Sequence, residues 1–109
     1  MLRFARPALV TTLALAGLLA GCSTVEEDKT ANWTPERIYT EARDEAQSGG
    51  YEQAVPLFEK LEGRAAGTPL AQQAQLEKAY AQYKSGEKAQ AVATLDRFMK
   101  LHPSSPAYD

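Results

Sequence analysis

Few side chains in this sequence could act as a catalyst. It has one cysteine, Cys22, and one histidine, His102. An imidazole that activates a thiol would make a nucleophile, so a Cys22–His102 dyad is one reading of the pair. Glu41, Asp44 and Glu45 form a second group. Their spacing puts them on one side of a helix, where a solvated acidic face explains them better than a paired acid and base. A single cysteine excludes an internal disulfide and leaves no thiolate pair for zinc. The chain carries no phosphate-binding loop and no nucleophile elbow. The sequence therefore predicts no catalytic residues, no cofactor and no metal.

The neighbourhood of Cys22 offers a different chemistry. Met1 to Arg6 holds two arginines and no acid, and Pro7 to Gly21 is fifteen residues without a charge. A basic start followed by a short apolar run is the pattern of a secretory signal peptide. A membrane-spanning helix would need about 20 apolar residues. Leu19-Ala20-Gly21-Cys22 resembles the bacterial lipobox. Its small residues let a peptidase close on the backbone, and its cysteine sulfur accepts a diacylglyceryl group. Cys22 is thus the predicted lipidation site, and an N-acyl chain such as palmitate would complete the anchor. One acyl chain holds a protein only marginally, so several are needed for stable attachment. Ser23 follows where an inner-membrane lipoprotein of enteric type would carry aspartate, which favours the outer membrane.

Removal of residues 1–21 takes away Arg3 and Arg6. What remains has 10 basic and 14 acidic residues, a net charge of −4. Such a chain lacks the basic face that nucleic acid requires, and anionic lipid would not attract it. The predicted divisions are a signal peptide over 1–21, a lipidated cysteine and flexible tether over 22–33, a first helical repeat over 34–67, a second over 68–104, and the start of a third over 105–109.

The tether, rich in polar residues around Glu26, Glu27 and Asp28, has no hydrophobic period. Thr34-Pro35-Glu36 then supplies a hydroxyl cap, a proline at the first helical position and an acid in the first turn. Ile38, Ala42 and Ala46 recur at steps of four, and Ser48-Gly49-Gly50 ends that helix. Tyr51, Ala54, Val55, Phe58 and Leu61 make the next apolar face. Gly63 and Gly67 are read as bracketing a loop. Thr68-Pro69 repeats the cap and proline. Leu76, Ala79, Tyr80 and Tyr83 form the third face, and Ala91, Val92, Leu95, Phe98 and Met99 the fourth, with Ser85-Gly86 between them and His102-Pro103 after.

A shift of 37 residues aligns the two halves. Ala42 meets Ala79, Gly49 meets Gly86, Gln53 meets Gln90, Ala54 meets Ala91, Val55 meets Val92, and Phe58 meets Leu95. An internal repeat of two helices signals an α-solenoid. The alanines predict close approach of the helices within each hairpin, with Phe58, Leu61, Leu95 and Phe98 filling the space between hairpins. Pro56 falls within the second predicted helix, which must therefore start after Tyr51 or bend. A third hydroxyl-proline pair, Ser105-Pro106, is followed by only three residues, which predicts a piece of a longer protein. The face of Val92, Leu95 and Met99 would then lack its cover, and the isolated chain is expected to be marginally stable.

Gly49-x-Tyr51-x-x-Ala54-x-x-x-Phe58 and Ala81-x-Tyr83-Lys84-x-Gly86-x-x-x-x-Ala91 resemble the tetratricopeptide repeat, which has a period of about 34 residues. The lipobox, the acidic tether, Gln73-x-Gln75-Leu76-x-x-Ala79-Tyr80-Ala81-x-Tyr83-Lys84 and Ala91-x-x-x-Leu95-Asp96-Arg97-Phe98-Met99-x-Leu101-His102-Pro103-Ser104-Ser105-Pro106 together resemble the family of outer-membrane protein assembly factor BamD, also called ComL. The resemblance covers Cys22 to Asp109. It implies an all-α, tetratricopeptide-like α-solenoid of two helical hairpins and the start of a third, anchored by lipid at the periplasmic face of the outer membrane. It implies a non-enzymatic scaffold that works with a BamA-type barrel protein and other subunits of the assembly machinery and meets unfolded outer-membrane proteins. If the first helix of each repeat lines the concave side, Tyr39, Arg43, Tyr80, Tyr83 and Lys84 become candidates for a client-binding groove. Alternatively, the two later tyrosines pack between helices and the cations are merely solvated. A different periplasmic tetratricopeptide lipoprotein, organising cell-envelope machinery, is the alternative function.

The lipobox yields a direct prediction. Cys22→Ala should abolish incorporation of radiolabelled fatty acid in cells and leave the leader uncleaved by the lipoprotein peptidase. Label retained in the variant would refute the assignment.

Overall fold

A computed structural model describes residues 28–106. Within them the chain forms four helices: α1 (Pro35–Gln47), α2 (Tyr51–Arg64), α3 (Pro69–Lys84) and α4 (Lys88–Leu101). Each helix packs on its neighbour in sequence, so α2 and α3 are each covered from two sides. The leader and Cys22 lie outside the described residues, as do the last three residues of the chain.

Local chemistry explains the helix ends. Thr34 Oγ1 accepts from the Arg37 amide at 3.2 Å, and Thr68 Oγ1 accepts from the Ala71 amide at 3.3 Å. Each is followed by proline at the first position, where the missing N–H costs no helical bond. Both hairpins turn the same way. The Gly50 amide donates to the Glu45 carbonyl and that of Gly49 to Ala46, while Glu87 donates to Gln82 and Gly86 to Tyr83. This paired pattern needs a left-handed residue just past the helix, and Gly49 (φ 92°) and Gly86 (φ 94°) provide it. The sequence repeat is thus reproduced bond for bond in the two turns.

The first hairpin holds the main core. Ile38, Ala42, Ala54, Phe58 and Leu61 are fully enclosed and continue into Ala65, Ala74 and Ala81. In the second hairpin Ala79, Ala91 and Phe98 are buried. The four alanines expected at the close approaches are therefore all inside.

Other expectations need correction. Tyr80 and Tyr83 do not pack between helices; they are 57 % and 56 % exposed. Because α3 lies between α2 and α4, its buried positions are the small or polar Ala74, Gln75, Lys78, Ala79, Ala81 and Gln82. The polar ones span helices: Lys78 Nζ donates to Glu62 at 2.8 Å, and Thr94 Oγ1 donates to Gln82 Oε1 at 2.7 Å. Leu95 does not fill the space between hairpins but is exposed, as are Val92 and Met99, since no described element lies over that side of α4. Gly63 belongs to the last turn of α2 rather than to a loop, and Pro56 sits inside a helix that does begin at Tyr51. The Glu52 carbonyl loses its helical donor there, but both residues face solvent, where water can take that bond.

The end of the expected tether is ordered as well. Residues Asp28 to Trp33 form turns, with Thr30 buried. Arg64, at the end of α2, donates to the carbonyls of Thr30 and Trp33, to Thr30 Oγ1 and to Asp28. Lys60 also pairs with Asp28. Arg37 stacks its guanidinium 4.2 Å from the centre of the Trp33 ring. The hydrogen bonds from Lys60, first, and from Thr30 hold the Asp28 carboxyl well below the usual carboxylate range.

A carboxylate with a lowered pKa stabilises the state that binds it above the pKa of the free side chain, and this contribution is lost as pH falls. The hold on the segment should therefore weaken progressively as pH falls below about 4, and be lost only at the much lower pH where the bound carboxylate itself takes up a proton. Trp33, the only tryptophan, reports on it: Asp28→Ala at pH 7 and the unmodified chain in acid should show the same red-shifted emission while helical circular dichroism persists. Unchanged emission in the variant would contradict the clasp. In the core, Phe58→Ala should cost about 3–5 kcal/mol in urea unfolding, whereas Val92→Ala should stay within about 0.5 kcal/mol.

Candidate functional site

The side chains with binding chemistry gather where α1, α2 and α3 meet. Tyr39 and Arg43 are one turn apart on α1. Arg43 NH1 donates to the Tyr39 hydroxyl at 3.1 Å, and its guanidinium carbon lies 5.6 Å from the centre of that ring. This bond is the main reason the Arg43 pKa is raised further, so the guanidinium stays charged. Across the groove Arg43 Nε lies 3.6 Å from Glu77 Oε1 on α3. That is an ion pair beyond hydrogen-bond distance.

Glu77, Tyr80 and Lys84 follow one another at steps of three and four, which places them along one side of α3. The Tyr80 ring meets Tyr51 of α2 edge to face, with centres 6.1 Å apart and planes at 81°. Lys84 Nζ lies 5.9 Å from the Tyr51 ring centre and 6.0 Å from that of Tyr80, so one ammonium serves two aromatic faces. Between them is a cavity of about 200 Å³, lined by Arg43, Ala46, Gln47, Tyr51, Phe58, Glu77 and Tyr80. The second Glu77 oxygen, Oε2, is buried and accepts no hydrogen bond among the described residues.

Four of the five predicted groove residues thus come together: Tyr39, Arg43, Tyr80 and Lys84. Tyr83 does not. It borders a neighbouring apolar cleft of about 430 Å³ between α3 and α4, with Leu76, Val92 and Leu95; Tyr80 borders this cleft as well, and Lys88 lies 5.9 Å from the Tyr83 ring centre. Tyr51 and Glu77 belong to the site although the sequence reading did not select them. In the sequence Tyr51 stands out as part of a hydrophobic face and of the tetratricopeptide-like pattern, not as a groove residue. Glu77 could have been found from its step of three to Tyr80 and seven to Lys84.

The other candidates have other settings. Glu41 is half-buried while Asp44 and Glu45 are exposed. His102 packs its ring 5.0 Å from that of Phe98, and its suggested partner Cys22 is outside the described residues. Among the described residues no group of acids, histidines or cysteines could hold a metal ion, and no helix is long and apolar enough to cross a membrane. A recess of about 640 Å³ lies beside the Asp28 turns, but its Asp28 and Lys60 are paired with one another.

Comparison with known proteins places this architecture. Relatives carrying the name outer membrane protein assembly factor BamD include one from Neisseria meningitidis serogroup B, 43 % identical over 106 residues, which cover 93 % of this chain and 40 % of the relative. One from Vibrio cholerae is 35 % identical over 100 residues, covering 87 % of this chain and 41 % of the relative. One from Xylella fastidiosa strain 9a5c is 33 % identical over 97 residues, covering 88 % and 33 %. The chain thus spans about 40 % of the length of the first of these relatives. Residues 31–109, which include all four helices, match the model of a family described as outer membrane lipoprotein, YfiO. The chain belongs to the YfiO outer membrane lipoprotein family.

Proposed function

We propose that this chain serves the β-barrel assembly machinery as an outer-membrane lipoprotein, a non-enzymatic scaffold that holds unfolded barrel proteins and partner subunits. The observation that carries the reading is the groove. It sets three tyrosines and two cations where α1, α2 and α3 meet, in a family member whose relatives are named as assembly factors. An unfolded barrel strand offers aromatic side chains and free peptide groups, and Tyr39, Arg43, Tyr51, Tyr80 and Lys84 suit both.

The same reading assigns Cys22 as the lipid anchor and the periplasmic face of the outer membrane as the location. The anchored end of the chain would then lie close to the bilayer, because six residues from Cys22 to Asp28 reach at most about 20 Å. A BamA-type barrel protein is the proposed principal partner.

Arg43 and Tyr80 are exposed, so their removal leaves the core intact. The double variant Arg43→Ala, Tyr80→Ala should lower photo-crosslinking to a urea-unfolded outer-membrane barrel protein by about five- to tenfold, the worth of one good cation–π or aromatic contact. Helical circular dichroism should stay constant. Equal crosslinking by the variant would remove the groove from the function, and absence of BamA from pull-downs of the native lipoprotein would remove the partner.

A further inference from the structure

The unpaired oxygen of Glu77 has no role in holding the fold. Oε2 is buried and accepts no hydrogen bond from a described residue, while Oε1 faces Arg43 Nε at 3.6 Å, too long for a hydrogen bond. Arg43 NH1 is already committed to Tyr39. A buried acceptor left empty is unfavourable, more so when it is charged. Replacing Glu77 with an apolar residue would remove that penalty, so the fold gains little from a carboxylate here.

The surroundings specify what could satisfy it. Glu77 lines the cavity of about 200 Å³ together with Gln47, Tyr51 and Tyr80. That space exceeds the share of one water molecule, about 30 Å³. The terminal torsion of a glutamate is soft, so a modest rotation turns Oε2 into the cavity. An incoming cation would meet Arg43 on one side and Lys84, which stands over Tyr51 and Tyr80, on the other. An incoming anion would meet Glu77 itself. A neutral N–H donor meets neither objection. A peptide group supplies that donor together with a carbonyl, which Arg43 or Gln47 on the α1 wall can bind.

We infer that Glu77 is the main-chain acceptor of the groove, taking a hydrogen bond from a backbone N–H of the bound client segment. The inference rests on the groove reading above and adds a rule to it. At this point the client is read through its backbone, so side-chain sequence there is free to vary, while the aromatic and cationic neighbours read what flanks it.

The test uses the full chain and a fluorescent synthetic peptide with the sequence of the last membrane strand of an outer-membrane barrel. A companion series replaces one backbone amide at a time with an ester, which removes a single N–H. Binding is followed by anisotropy. Hydrogen bonds to charged groups imply a loss of about tenfold or more. One ester position should therefore weaken binding to the unmodified chain by about tenfold. Glu77→Gln, whose amide oxygen is drawn to Arg43 and whose NH₂ then faces the cavity, should bind the all-amide peptide about tenfold more weakly and be indifferent to that same ester. A merely structural glutamate would lower affinity for every peptide equally and leave the ester effect in place, which would overturn the inference while the groove reading stands. Loss of binding on replacing a peptide lysine with norleucine, relieved in Glu77→Gln, would also overturn it by showing a side-chain ion pair. No binding of any peptide to the unmodified chain would defeat the groove reading and this inference together.

Discussion

Helix against helix at alanine is the contact on which the structure depends. Ala42 and Ala54 in the first hairpin, and Ala79 and Ala91 in the second, are all buried where α1 packs on α2 and α3 on α4. Side chains this small let backbones approach closely, so dispersion contacts accumulate between main chains as well as side chains. The close approach fixes the angle of each hairpin. Stacking the hairpins through Phe58 and Leu61 then determines which sides of α3 are enclosed. Everything else on the molecule is placed by that geometry.

A core built from alanines has consequences for the larger residues. Few bulky side chains fit between the helices, so several project outward: Tyr80, Tyr83, Val92, Leu95, Met99 and Leu101 are all exposed. Their distribution is not uniform. Tyr80 joins Tyr51, Lys84 and Arg43 on a mixed aromatic and charged side, while Tyr83, Val92 and Leu95 border an apolar cleft. The two kinds of surface adjoin on one helix, and Tyr80 borders both. Polar side chains inside α3 make up part of the missing apolar burial. Lys78 with Glu62 and Gln82 with Thr94 tie α3 to both neighbours, each pair through a hydrogen bond.

Charge is used locally rather than as a broad field. Asp28 is surrounded by Lys60, Arg64 and Thr30, which fastens the approach to α1 against the end of α2. That contact begins six residues after the proposed lipid site. In the groove the opposite economy holds: Arg43 and Glu77 face each other without closing a hydrogen bond, and hydrogen-bonding capacity is left available.

Much of this was legible in the sequence because its causes are local. Thr-Pro at a helix start, glycine at the left-handed position and alanine or aromatic residues at helical steps act through neighbours four residues away or fewer. The shift of 37 residues aligns the two turns in the sequence, and the same hydrogen bonds recur in both. The proposed lipobox is likewise a contiguous motif, and it lies outside the described residues. Only the tertiary structure decided which sides of α3 are buried, that Tyr51 stands beside Tyr80, that Arg64 reaches back to Thr30, and that one carboxylate oxygen of Glu77 accepts no hydrogen bond from the described residues. These are relations between helices, and helical periodicity describes one helix at a time. A helix covered on two sides presents no single hydrophobic stripe, so its period cannot say that Tyr80 and Tyr83 face outward. Their exposure follows from α2 and α4 occupying the small and polar faces between them.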